Sequence, residues 1–206
     1  MSVAEFRALL ERVMARAEAV PAAVAALAAA ARRTGVPMAS HDDETPAMRA
    51  AYQALGVALC EFPFDRATAE EARRQGGAIV MGAPNVVRGG SHTRRLSARE
   101  AIGIGLCDVL ASDYYYPAMV AAAFRLAREG VVDLGTAWRA LSTAPAAAAG
   151  FADRGRLAAG LRADLVLIDD GRPADPRIAA TIVNGRIVHL ADASLAEAVL
   201  TPLALA

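Results

Sequence analysis

The sequence predicts an α/β protein of about four parallel strands with crossover helices, as in an open sheet or half of a (β/α)8 barrel, followed by a small β appendage. Three observations lead there. The candidate strands, such as Val57-Ala58-Leu59-Cys60 and Ala78-Ile79-Val80-Met81, are short and apolar rather than alternating, as in a parallel sheet covered by helices. Several end in polar residues just before a helix start, the way such sheets present chemistry at their carboxyl ends. Beyond residue 150 the pattern changes to strand–turn–strand, with Asn184-Gly185 as a two-residue hairpin signal.

The elements follow in order. Phe6, Leu9, Leu10, Val13, Met14 and Ala17 recur at helical spacing, predicting a helix over 3–18. Pro21 starts a second helix, closed by Arg32, Arg33 and Gly35. A strand over 36–40 leads to Thr45 as cap, Pro46 in the first turn and Gly56 as stop. The strand 57–60 precedes a helix that Thr68 and Glu71 would open as a capping box, and the strand 78–81 precedes a long glycine-rich loop over 81–95. Ser97 with Glu100 opens the next helix, 108–112 is the fourth strand, and Pro117 opens a helix to Gly130. Asp133 and Ser142 or Thr143 begin two more helices. The expected division is a partial barrel over 1–150, a small β segment over 151–192 and a tail over 193–206. Half a barrel would leave two sheet edges exposed, after strands 36–40 and 108–112, and so favours association.

Composition narrows the partners. With 22 basic and 22 acidic residues among 206, the chain has no long-range field to attract nucleic acid or an anionic membrane. The first residues lack a signal peptide's basic start, and the alanine-rich run 22–31 is too short to span a bilayer, so a cytoplasmic protein is expected. Cys60 and Cys107 sit in apolar surroundings outside any CxxC pair and read as buried thiols.

The candidate chemistry lies at strand ends. His41 with Asp42 and Asp43 offers an imidazole and carboxylates for a metal or for catalysis; the same residues would also suit the positive start of the following helix. Glu61 ends the next strand, as a ligand, a substrate contact or a partner of loop amides. Between Met81 and Arg95, Gly89 and Gly90 permit close backbone approach, while Arg88, Arg94 and Arg95 offer guanidinium groups to phosphoryl oxygens, with Ser91 and His92 beside them; a surface loop with solvated arginines is the other reading. No GKS/T follows, which excludes a P-loop. Asp113, at the end of the fourth strand, would suit a general base for metal-bound water, or a structural carboxylate accepting amide hydrogen bonds. His189, beyond the hairpin turn, reads as a surface residue.

In order along the chain, Ala39-Ser40-His41-Asp42-Asp43-Glu44-Thr45, Glu61-Phe62-Pro63, Met81-Gly82-Ala83-Pro84-Asn85, Arg88-Gly89-Gly90-Ser91-His92, Ser97-Ala98-Arg99-Glu100, Ser112-Asp113-Tyr114 and the phrase from Gly155 to Leu165 resemble the metal-dependent amidohydrolase superfamily, and within it a branch of phosphonate metabolism. The resemblance covers about residues 20–190. It implies the C-terminal half of a (β/α)8 barrel with a β-sandwich appendage. It also implies a divalent metal, zinc before manganese, and a phosphorylated substrate, α-D-ribose 1-methylphosphonate 5-triphosphate, cleaved to the 5-phosphate and pyrophosphate.

In that frame His41 would be the fifth-strand metal ligand. Asp113 would be the eighth-strand ligand and the acceptor of the water proton. Glu61 takes the sixth-strand position, where the wider superfamily commonly carries histidine, as ligand or substrate contact. Arg88, Ser91, His92, Arg94 and Arg95 would bind substrate. Nothing before His41 resembles the first-strand metal motif, so a complementary N-terminal half or a second copy is the expected partner. Two other readings stand beside this one: an amidohydrolase acting on a cyclic amide or ester, and a non-catalytic fragment or assembly partner.

Overall fold

The computed structural model describes residues 1–89, 95–112, 114–172 and 174–191. Four strands, β1 (Ala39–His41), β2 (Leu59–Glu61), β3 (Ala78–Gly82) and β4 (Val109–Ala111), form one parallel sheet in sequential order. Such an order needs a crossover after every strand, and helices supply it: α3 (Pro46–Ala54) after β1, α4 (Arg66–Arg74) after β2, and α5 (Ala83–Arg88) with α6 (Ala98–Gly103) after β3. The helices α7 (Ala118–Arg128), α8 (Leu134–Arg139) and α9 (Thr143–Ala148) follow β4. This is the expected half-barrel arrangement.

The two sheet faces differ. Ser40, Cys60 and Ile79 share one row and one face, and all three are buried under the helices. Much of that core is alanine: Ala69, Ala72, Ala83, Ala118, Ala122 and Ala123 are fully buried against Cys60, Ile79, Met81, Leu110 and Leu126. Small side chains allow helices to approach a sheet closely, so an alanine-rich layer can still exclude water from the core. On the opposite face, His41, Glu61, Val80 and Val109 form a second row.

Several expectations are corrected. The first helix ends earlier, at Met14, as α1 (Val3–Met14); a 3-10 turn at Ala17–Ala19 separates it from α2 (Val20–Thr34). The cap of α4 is Asp65, whose carboxylate accepts the Thr68 N–H at 2.8 Å, whereas Thr68 itself is buried inside the helix. A charged oxygen complements the helix dipole better than a hydroxyl does. The stretch read as one loop over 81–95 holds a helix, α5: Pro84 occupies its first turn and Gly89 closes it at φ +88°. The Arg125 guanidinium donates to the Val87 carbonyl and ties α5 to α7.

Of the two edges expected to be exposed, that of β4 is met by the chain after α8, where Ala140 accepts the Leu110 N–H at 2.9 Å. Among the described residues no strand pairs with the outer edge of β1. The helix α1 buries none of its residues, and Phe6, Leu9, Leu10, Val13 and Met14 form an exposed apolar stripe along it. The helical stretch Val3–Thr34 is, by length and composition, long and apolar enough to cross a bilayer, unlike the alanine run taken alone.

The appendage is an antiparallel sheet of β5 (Leu165–Asp169), β6 (Arg177–Val183) and β7 (Arg186–Leu190). Asn184 and Gly185, at φ +50° and +75°, make the expected primed hairpin turn. His189 is exposed on β7, as expected. The Gly155–Leu165 phrase forms the junction: Gly155, at φ +90°, lies so close to α9 that a Cβ there would stand 2.6 Å from that of Ala146. Asp164 accepts the Asn184 N–H and the Arg162 guanidinium, both at 2.8 Å. The expected tail over 193–206 lies outside the described residues.

Candidate functional site at the strand ends

The sheet's carboxyl end is built from two similar turns. After β1 the order is His41, Asp42, Asp43, Glu44, the cap Thr45 and Pro46; after β2 it is Glu61, Phe62, Pro63, Phe64, the cap Asp65 and Arg66. Adding 20 to each number in the first turn gives its counterpart in the second (41 to 61, 45 to 65).

In both turns the residue after the strand is left-handed without being glycine: Asp42 at φ +56° and Phe62 at φ +54°. Each such residue costs about 1–2 kcal/mol. Main-chain bonds offset that cost, since Asp42 N–H donates to the Glu61 carbonyl and Phe62 N–H to the Val80 carbonyl, each at 2.9 Å. The turns are also joined to each other, Phe64 N–H donating to the Asp43 carbonyl at 2.9 Å.

This construction points His41 and Glu61 the same way from paired positions on neighbouring strands. His41 Nε2 lies 4.0 Å from Glu61 Oε2, and Nδ1 lies 3.6 Å from Asp42 Oδ2. The imidazole meets the Phe62 ring edge to face at 5.2 Å. Arg95 stacks over Phe64 at 4.4 Å and reaches Asp42 Oδ1 at 3.6 Å, which brings the far end of the predicted arginine loop back to β1. Arg88 leans instead over Tyr114, 5.8 Å from its ring centre. The side chains of His41 and Glu61 are 60% and 31% exposed, so both are open to a ligand. Asp113, Ser91, His92 and Arg94 lie outside the described residues.

An imidazole nitrogen and a carboxylate oxygen form a donor pair suited to zinc or manganese. Among the described residues no three such side chains come together. His41 and Glu61 therefore fit as two ligands of a divalent ion rather than as a whole set.

Behind these tips lies a polar cluster that the sequence did not announce. Asp43 and Arg49 are 0% and 1% exposed. Oδ2 of Asp43 accepts from Ser40 Oγ at 2.8 Å, Arg49 Nη1 at 3.2 Å and Cys60 Sγ at 3.3 Å. Arg49 also donates to Ser40 Oγ at 2.8 Å, to the Leu59 carbonyl at 3.3 Å, to Gln53 at 3.2 Å and to the Val57 carbonyl. Asp43 is thus no exposed companion of the helix start. Burial, reinforced by the adjacent Asp43 carboxylate, pushes the Cys60 thiol up to about 12, so it acts as a neutral donor. The one sequence clue was an arginine among the alanines of α3, and an arginine there reads equally well as solvated.

Comparison with known proteins agrees with the architecture. A model of the amidohydrolase family matches residues 1–189. Alpha-D-ribose 1-methylphosphonate 5-triphosphate diphosphatase of Escherichia coli (strain K12) is 43% identical over 143 residues, covering 68% of this chain and 38% of that protein. A prolidase solved with N-methylphosphonate-L-proline superposes with a TM-score of 0.60 at 21% identity, over 81% of this chain and 48% of its own. An enamidase superposes with a TM-score of 0.56 at 16% identity, over 80% of this chain and 50% of its own. These two likenesses bear on the fold. The chain spans 38% of the curated relative's length and about half of each of these solved chains.

Proposed function

The chain belongs to the amidohydrolase family, and on that premise we propose that it is the C-terminal portion of a metal-dependent diphosphatase cleaving α-D-ribose 1-methylphosphonate 5-triphosphate to the 5-phosphate and pyrophosphate. The observation that carries this reading is the pairing of His41 with Glu61 at the same level of adjacent strand ends, in a chain 43% identical to such a diphosphatase over 143 residues.

His41 and Glu61 would hold a divalent ion, zinc or manganese. When bound, the ion supplies Lewis-acid stabilisation of charge developing on the phosphoryl oxygens. Asp42, 3.6 Å from Nδ1, would orient the His41 ring on closing to hydrogen-bond distance. Asp113 takes the proton of the attacking water as a new P–O bond forms and pyrophosphate leaves with the electrons of the broken one. Arg95, stacked on Phe64 beside Asp42, together with Arg88 and Arg94, would neutralise the triphosphate, while Ser91 and His92 would donate hydrogen bonds to it. So many arginines favour a phosphoric anhydride over a cyclic amide.

The remaining ligands come from a complementary N-terminal half, which would continue the sheet at the outer edge of β1 and work with this chain in the cytoplasm. The test follows pyrophosphate release by phosphorus NMR, using this chain with added Zn²⁺ or Mn²⁺, alone and with the complementary half. Pyrophosphate from the complemented protein, lost in His41→Asn and Asp113→Asn, is the expected result. Hydrolysis of a cyclic amide such as hydantoin, with no triphosphate cleavage, would overturn the reading.

A further inference from the structure

We infer that Asp43 and Arg49 are positioning residues: together they fix the turn that presents His41 and tie it to the strand that carries Glu61. The inference rests on the reading of His41 and Glu61 as the reacting centre, but its geometry stands apart from the identity of the substrate.

Three side-chain donors converge on a single oxygen, Asp43 Oδ2, and they come from three elements. Ser40 immediately precedes His41 on β1, Cys60 immediately precedes Glu61 on β2, and Arg49 belongs to α3. Ser40 and Cys60 are register partners, as are His41 and Glu61 one step further along. Since successive strand residues alternate faces, holding the inner pair to one buried oxygen holds the outer pair at its spacing. Asp43 lies two residues beyond His41, so the bond from Ser40 to Asp43 spans the turn and pins the left-handed Asp42 between its anchors.

Arg49 secures the arrangement from below, reaching main-chain carbonyls on either side of Ala58. Fully buried charge pairs are seldom kept for stability alone, because apolar replacements of similar volume often serve as well, whereas a directional cluster selects one geometry. Among the described residues the second turn shows no such cluster: Pro63 stands where the first has Asp43. Its left-handed residue therefore provides an internal control.

The experiment is amide hydrogen exchange by NMR on the full chain. In the double variant Asp43→Leu, Arg49→Met, exchange at Asp42 and Phe64 is expected to quicken at least about tenfold. Each of these bonds has one end in the tied turn, Asp42 donating to the Glu61 carbonyl of β2 and Phe64, from the second turn, to the Asp43 carbonyl. The Phe62 amide, bonded to Val80 in the untied turn, should stay within about twofold of its parent value. Ser40→Ala, which removes one neutral donor and leaves the ion pair in place, should produce the same selective pattern at about threefold; it decides the matter if the double variant does not fold. Equal quickening of all three amides, or none in any, would overturn the inference. Failure of the complemented protein to release pyrophosphate would count against the proposed function and leave this comparison intact.

Discussion

Replacing Arg49 by methionine should cost far more than removing a surface cation, and the structure supplies the reason. Arg49 is 1% exposed and serves five acceptors: Ser40 Oγ, Asp43 Oδ2, Gln53 Oε1 and the carbonyls of Val57 and Leu59. Methionine fills much of the volume but donates nothing. Asp43 would keep only a hydroxyl and a thiol as side-chain donors while remaining fully buried. Stranding one member of a buried ion pair costs about 3–5 kcal/mol. At 0% and 1% exposure there is no solvent screening to reduce that figure.

The assay is urea unfolding followed by circular dichroism, read as the change in unfolding free energy. The double variant Asp43→Leu, Arg49→Met, which removes both charges, should recover to within about 1–2 kcal/mol of the parent. Arg66→Ala, in an exposed pair with Glu70, should leave the midpoint unmoved. A loss below about 1 kcal/mol in Arg49→Met, or a double variant no better than the single, would refute the claim that charge burial rather than volume governs this site.

Three further outcomes are expected. Burial pushes both the Cys60 and Cys107 thiols up to about 12, so neither should react with an aromatic disulfide at pH 8 until the chain is unfolded; and because the unfolded thiols ionise from about 9, the urea midpoint should fall as pH rises from 9 towards 12. Gly155→Ala forces a Cβ to 2.6 Å from that of Ala146 at φ +90° and should cost at least about 2 kcal/mol in a thermal melt, whereas Gly35→Ala, with nothing within 4 Å at φ +67°, should cost about 1 kcal/mol. The Asp164 carboxylate is held below its usual 3.8, first by the Asn184 N–H and then by Arg162 and Arg154; the stability it adds is present above 3.8 and lost as pH falls through its lowered value, so the Asn184 amide signal should move only below pH 3.8.

Local chemistry made much of the fold legible in the sequence. Pro46 after Thr45 restricts the backbone, and Gly35 after Arg33 and Asn184-Gly185 supply the positive φ a helix stop and a hairpin turn need; the structure keeps all three. The apolar strands ending in His41 and Glu61 likewise showed where polar groups gather. What could not be read locally was the depth at which each side chain would sit. Asp42 and Asp43 are adjacent and identical in type, yet one meets Arg95 at the surface while the other disappears against Arg49. Nor could spacing alone show that Arg95 returns to β1 while Arg88 turns to Tyr114.

The amino-acid order by itself determined the alternation of strands and helices, the hairpin and the strand tips that carry chemistry, because caps, stops and periodicity act over a turn or two of chain. Only the tertiary structure decided that residues twenty positions apart stand level, and that one buried carboxylate oxygen joins their strands. Register and burial are properties of the sheet against its helices, and no single stretch of sequence carries them.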